Sequence, residues 1–210
     1  MGVLGRSFYD RPTLTVAEAL LGAVLVHDTP DGEAAGLIVE TEAYIGEDDP
    51  ACHAAPGLTR RNAPLYGPAG VAYVYLNYGM HYLVNAVTES AGRPAAVLIL
   101  ALEPVRGTAL MQTRRARGGA VMAEADVCRG PGNLTKALGI TLGQNTWNLT
   151  SSALRIEGRR RAPRRAPRRV LWGPRVGIRV GVDRPWRCWI AGHPSVSGRR
   201  DDRTRTGHPG

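Results

Sequence analysis

Lysine and phenylalanine are nearly missing from this 210-residue chain, at one apiece. Among 27 basic residues Lys136 is the only lysine, so chemistry through an amine nucleophile has a single side-chain candidate. Cysteine is scarce as well. Cys52, Cys128 and Cys188 are odd in number, widely spaced and outside any CxxC pair, which argues against a disulfide framework and a cysteine zinc site. No histidine has a second ligand at metal spacing, so neither a metal nor another cofactor is expected. Aromatics make up only 6%, so aliphatics and alanine must fill the core. The apolar stretch closing at Val26 falls well short of the ~20 residues that a bilayer span needs. The first residues, MGVLGRSFYDRP, lack the apolar centre of a signal peptide. The expectation is a reduced, soluble, cytoplasmic protein, nucleoid-associated if bacterial.

What is present is positive charge. The formal net charge is +9, which suggests an anionic partner such as nucleic acid, an acidic membrane surface or an acidic protein. A compositional bias toward arginine is the plainer explanation. The tyrosines are unevenly spread: four of seven, Tyr73, Tyr75, Tyr78 and Tyr82, fall in YVYLNYGMHYLVN, residues 73 to 85.

Hydrophobic spacing predicts a helix near Thr15–Leu21, opened by a Thr15–Glu18 capping box. AVLVHD and GLIVETEAY read as strands joined by a turn at Thr29-Pro-Asp-Gly32. Residues 46 to 70 read as a long ordered loop, and loops of that length inside a domain usually carry function. The tyrosine segment reads as two strands, about 71–77 and 81–88, meeting at Tyr78-Gly79-Met80. AAVLILALEP reads as a buried strand, residues 105 to 117 as a helix, and Pro131 as the first turn of another. RVLWGPRVGIRVGV and PWRCWIAG read as late strands. The sum is an α+β fold: a single domain over residues 1 to 196 with a mostly antiparallel sheet. The basic low-complexity run at 159–169 reads as an insertion, and 197–210 as a disordered basic tail.

Alternation places Glu40, Glu42 and Tyr44 on one face of their strand. Two readings stand. The carboxylates form a solvated face, or they are held in a site, where burial would shift their pKa. Such a pair also fits a sugar hydrolase, since carboxylates about 6.5–9.5 Å apart suit an inverting enzyme. Tyr78 at a hairpin tip either folds back onto its own strands or protrudes as a wedge between bases. Enzymes that act on a base in a duplex need a wedge, an aromatic pocket and a group activating water. Tyr78, the pair Tyr44 and Tyr75, and Glu42 can supply these in turn.

At these residues the chain resembles the alkyladenine (3-methyladenine) DNA glycosylase family. IVETEAYIGEDDPACHA, TRRN, YVYLNYGMHYLVN, LALEP, RGPGNLTKAL and GPRVGI occur in that family's order over roughly residues 5 to 195. The resemblance implies a curved antiparallel sheet flanked by helices, with a protruding hairpin. It implies a monomer that flips alkylated or deaminated purines out of double-stranded DNA and hydrolyses the N-glycosidic bond. Glu42 then falls on the general base and Val176 on a residue whose carbonyl helps hold the water. Tyr44, His53, Tyr75 and Asn85 fall on the base-binding pocket, Asn85 excluding guanine by a clash with its amino group. Tyr78 falls on the intercalating residue, and Arg61, Asn62 and His81 lie near the DNA backbone. Leu100 stands where the family usually has an arginine that helps position the water or a nearby phosphate. Tyr66 replaces a usual phenylalanine. A lesion-binding module disabled by Leu100 therefore joins the sugar hydrolase as an alternative.

Overall fold

The computed structural model describes residues 2–116, 122–158 and 169–198. The arginine run expected as an insertion, apart from Arg169, and most of the expected tail lie outside the described residues.

The longest strand organises everything else. Residues 24–29 form β1 (Val24–Thr29), which turns through two residues into the 14-residue β2 (Gly32–Ile45). Along one edge β2 pairs with β5 (Ala95–Arg106), antiparallel, with irregular register around Val39. Gly36 sits where β5 comes closest, because a Cβ there would lie 2.7 Å from Leu102 Cβ. The other edge forks. Its first half, Gly32–Leu37, takes β1, while Glu40–Glu42 takes β8 (Arg187–Ile190), which also pairs with β7 (Val170–Gly173). The fork lets the chain between β7 and β8 reach the second half of β2.

The hairpin of β3 (Ala72–Asn77) and β4 (His81–Val87) closes the far side, and β6 (Leu154–Glu157) extends the sheet beyond β1. The outcome is the curved antiparallel α+β sheet that the sequence implied. Three eight-residue helices pack on it: α2 (Thr13–Leu20), α3 (Thr108–Arg115) and α5 (Pro131–Leu138). Two single-turn helices, α1 (Arg6–Tyr9) and α4 (Glu124–Val127), fill in between. Val16, Leu20, Ile38, Ile99, Met111 and Leu134 are fully buried in one core, which aliphatics dominate as composition required. Among the described residues no helix is long and apolar enough to cross a membrane.

Two local expectations fail for physical reasons. The capping box does not form, because α2 starts two residues before Thr15, after Pro12. Thr13 Oγ1 bonds to Glu89 Oε1 at 2.6 Å instead, fastening the helix to the end of β4. The late strand stops at Gly173. GPRVGIRVGV alternates like a strand, yet residues 174–182 have no strand partner, Gly177 and Gly181 take positive φ, and Val180 and Val182 are exposed.

Candidate active site

Glu42 lies in the forked half of β2 with its side chain wholly buried (0% exposed). Both of its oxygens are held. The Val176 backbone N–H donates to Oε1 at 2.6 Å, and the Tyr44 hydroxyl donates to Oε2 at 2.9 Å. These donors favour the ionised form, but burial outweighs them and pushes the Glu42 pKa up to about 7. A solvated strand face is thereby excluded. Tyr44, with its hydroxyl on that buried carboxylate, is also held well above the ordinary phenol range, chiefly by burial.

Glu40 has a different fate. It is equally buried, but Arg187 Nε pairs with its Oε1 at 2.6 Å, and Ser197 donates to both oxygens at 2.7 and 2.9 Å. The carboxylate staples β2 to β8 and the segment after it. Neither Arg187 nor Ser197 borders the cavity in front of Glu42, so this carboxylate is turned away from it and does not suit the second carboxylate of a sugar hydrolase.

In front of Glu42 opens a cavity of about 460 Å³, large enough for a purine. Tyr44, His53, Tyr75 and Asn85 line it, as does Val176. Glu42 is not itself in this lining; it sits behind Tyr44 and Val176, which both border the cavity and bond to its carboxylate. The long loop after β2 delivers His53, whose ring lies 4.4 Å from Tyr75 and whose Nδ1 meets the Tyr73 hydroxyl at 2.8 Å. Burial, with Arg61 nearby, lowers the His53 pKa and so favours the neutral ring. Asn85 Nδ2 donates to the Tyr73 carbonyl at 3.0 Å, which fixes the orientation of its amide at the cavity wall.

The hairpin tip answers the question of Tyr78. Its side chain is 81% exposed and Met80 beside it 72%, so neither folds back. Tyr78 (φ 47°) and Gly79 (φ 69°) both take left-handed backbone, and Met80 N–H bonds to Asn77 O at 3.0 Å. This is a type I′ turn, in which glycine is at home and a tyrosine is strained. Tyr78 also borders the cavity, so the protruding tip and the pocket are continuous.

The residues expected along the DNA backbone divide. His81 is exposed and lies over the first turn of α5, since a Cβ on Gly132 would be 2.8 Å from its Cγ. The N-terminus of α5 thus sits beside the tip end of the hairpin, with Pro131 in the cavity wall. Arg61 is exposed but turned inward, with Nη2 on the Leu76 carbonyl at 3.3 Å and its guanidinium 5.9 Å from the Tyr75 ring centre. Asn62 is buried, and Nδ2 binds the carbonyls of His53 and Gly57 at 2.7 and 2.8 Å. Its amide shapes the loop that carries His53. The Tyr66 hydroxyl, absent from phenylalanine, donates to Glu47 at 2.6 Å.

One buried pair at the site escaped the sequence. Arg175 and Asp49 are both fully buried and joined by two bonds of 2.6 and 2.7 Å, and Arg175 also donates to Ala43 O at 3.0 Å. Its guanidinium lies 4.6 Å from the Tyr44 ring centre. This pair clamps the loop that holds Val176 against Glu42. Both residues stand in stretches quoted above, Asp49 in EDDPACHA and Arg175 in GPRVGI, but 126 positions separate them and no spacing rule connects them.

Comparison with known proteins gives concordant findings. The family model described as methylpurine-DNA glycosylase (MPG) matches residues 7–194. A protein of Chlorobium phaeobacteroides (strain BS1) is 44% identical over 202 residues, covering 95% of this chain and 98% of its own. One from Methanocella arvoryzae is 46% identical over 203 residues, with the same coverage. A third, from Methanoculleus marisnigri, is 44% identical over 196 residues, covering 93% and 99%. Each is provisionally named a 3-methyladenine DNA glycosylase.

Proposed function

The chain belongs to the methylpurine-DNA glycosylase family, and on that footing we propose that it excises alkylated or deaminated purines from double-stranded DNA, of the 3-methyladenine, 7-methylguanine, hypoxanthine and ethenoadenine class. The observation that carries the mechanism is the Glu42 carboxylate, buried, doubly held and with its pKa raised to about 7 behind an aromatic cavity. A general base is most effective when its pKa lies near the working pH.

In this reading the damaged base enters the cavity and stacks on Tyr44 and the His53–Tyr75 pair. Tyr78 fills the gap in the duplex. A water deprotonated by Glu42 attacks the sugar C1′ as the C1′–N bond breaks, leaving an abasic site. A purine methylated at N3 or N7 carries positive charge and departs as a neutral base. A pocket of aromatic faces favours such a cation, and a neutral His53 does not oppose it. Extrusion costs a few kcal/mol, less for a base that pairs poorly. Stacking on aromatics returns about 1–3 kcal/mol.

The test is single-turnover base release, with protein in excess, from duplexes carrying hypoxanthine, ethenoadenine or methylated purines. Binding without release on all of them would favour the disabled module, and no lesion binding at all would sink the proposal. Strand cleavage is not expected. Lys136 is exposed on α5 and no lysine lines the cavity. Lys136→Ala should leave base release unchanged, and loss of release with DNA binding intact would instead point to amine chemistry.

Tyr78 allows a prediction with two opposite signs. Asparagine tolerates left-handed backbone, so Tyr78→Asn should stabilise the fold slightly, by up to about 1 kcal/mol. The same change removes the wedge, and lesion excision should fall about tenfold or more, from ~1–3 kcal/mol of lost stacking. A melting curve and a single-turnover rate check the two halves. A tyrosine needed only for the fold would lower both.

A further inference from the structure

Among the described residues, Arg179 is the only Asp, Glu, Lys or Arg in the cavity wall. Its neighbours in sequence are committed: Arg175 to Asp49, Arg184 to the Asp48 carbonyl and Arg187 to Glu40. Arg179 makes no hydrogen bond or ion pair among the described residues, and it is exposed. A guanidinium presents five donors and stays charged at any working pH. It stands three residues beyond Val176, on the loop clamped by Arg175.

The cavity floor offers no alternative. Leu83, Leu98 and Leu100 form one buried cluster against Tyr44 and Tyr75, with Leu100 1% exposed. Leucine cannot donate a hydrogen bond. A cation that meets an anion at this site must therefore come from the rim. A nucleotide whose base fills the cavity brings a phosphate to that rim on each side. Resting on the proposed base flipping, we infer that Arg179 grips a phosphate flanking the extruded nucleotide and so holds the flipped state, from the loop between β7 and β8, whereas position 100 lies within β5.

The test uses the full chain with Glu42→Gln, so that no turnover intervenes, and an ethenoadenine duplex. The phosphodiester on each side of the lesion is replaced in turn by an uncharged methylphosphonate. Arg179→Ala should weaken binding to the ordinary lesion duplex about tenfold, as expected for one charge-assisted bond. On one of the two methylphosphonate duplexes the same change should cost almost nothing. Arg179→Lys should keep most of the affinity, and binding to undamaged duplex should change by less than threefold. Equal loss on all three lesion duplexes, or no loss on the ordinary one, overturns the role of Arg179 and leaves base flipping standing. If the Arg179-intact protein shows no preference for the lesion, base flipping itself fails and the inference falls with it.

Discussion

Glu42→Gln should reduce base release by about 10²- to 10⁴-fold, the range that a positioned general base supplies, while lesion-duplex affinity stays within a few-fold. Glutamine keeps the shape and an acceptor oxygen for the Val176 N–H. The Tyr44 hydroxyl can rotate to accept from the new amide. Stability should move the other way. A carboxylate whose folded pKa is raised from 4.5 to about 7 contributes stability that is present below pH 4.5 and lost as the pH rises through 7. Above pH 7 the ionised group is therefore a burden of roughly 3 kcal/mol by the linkage conversion. The Gln variant should melt higher than the native protein at pH 8 and close to it at pH 4.5. A variant that lost activity and stability together at pH 8 would mark Glu42 as structural.

The same shift sets the pH profile of the native protein. Only ionised Glu42 can take a proton from water, so single-turnover rates should rise through pH 7 and level off above it. Activity and stability thus oppose each other across one pH range, as expected of a group buried for its chemistry.

How much of this site was legible before the fold was known depends on how far apart the interacting residues lie. Glu42 and Tyr44, two positions apart on a strand, share a face by alternation alone, and their hydrogen bond follows. The hairpin with Tyr78 at its tip was equally readable, because Tyr78-Gly79 interrupts two period-2 runs. The fate of Glu40 was not. Alternation gave it the same status as Glu42, and only Arg187 and Ser197, 147 and 157 positions away, divide one from the other. The burial of Asn62 was not legible either, because its amide is spent on the carbonyls of His53 and Gly57 in its own loop and no spacing rule marks those partners. The same limit explains the false strand after Gly173. Its alternation is real, but a strand needs an edge to pair with, and the fork of β2 gives that edge to β8. What holds residues 174–182 is a side chain, Arg175.

That side chain carries the second large effect. Asp49→Asn should destabilise the protein by about 3–5 kcal/mol, the cost of stripping one partner from a buried ion pair. Arg175 would remain charged, surrounded by the Tyr44 and Trp186 rings at 4.6 and 5.2 Å, with one neutral amide oxygen and the carbonyls of Ala43 and Gly181 in place of a carboxylate. For a domain of this size the melting temperature should fall by roughly 6–20 °C, at about 2–4 °C per kcal/mol. The catalytic consequence is separable from the loss of stability. Loosening the clamp loosens Val176, and its N–H is the donor that most favours ionised Glu42. Well below its melting point, the variant should therefore show an acid limb moved above pH 7, with a rate that partly recovers in alkaline buffer. An unshifted profile with a uniformly lower rate would mean that the pair holds up the fold without tuning the base. The Arg175–Asp49 pair is thus expected to act on chemistry through Val176, and the direction of the pH shift is what tells that action apart from packing.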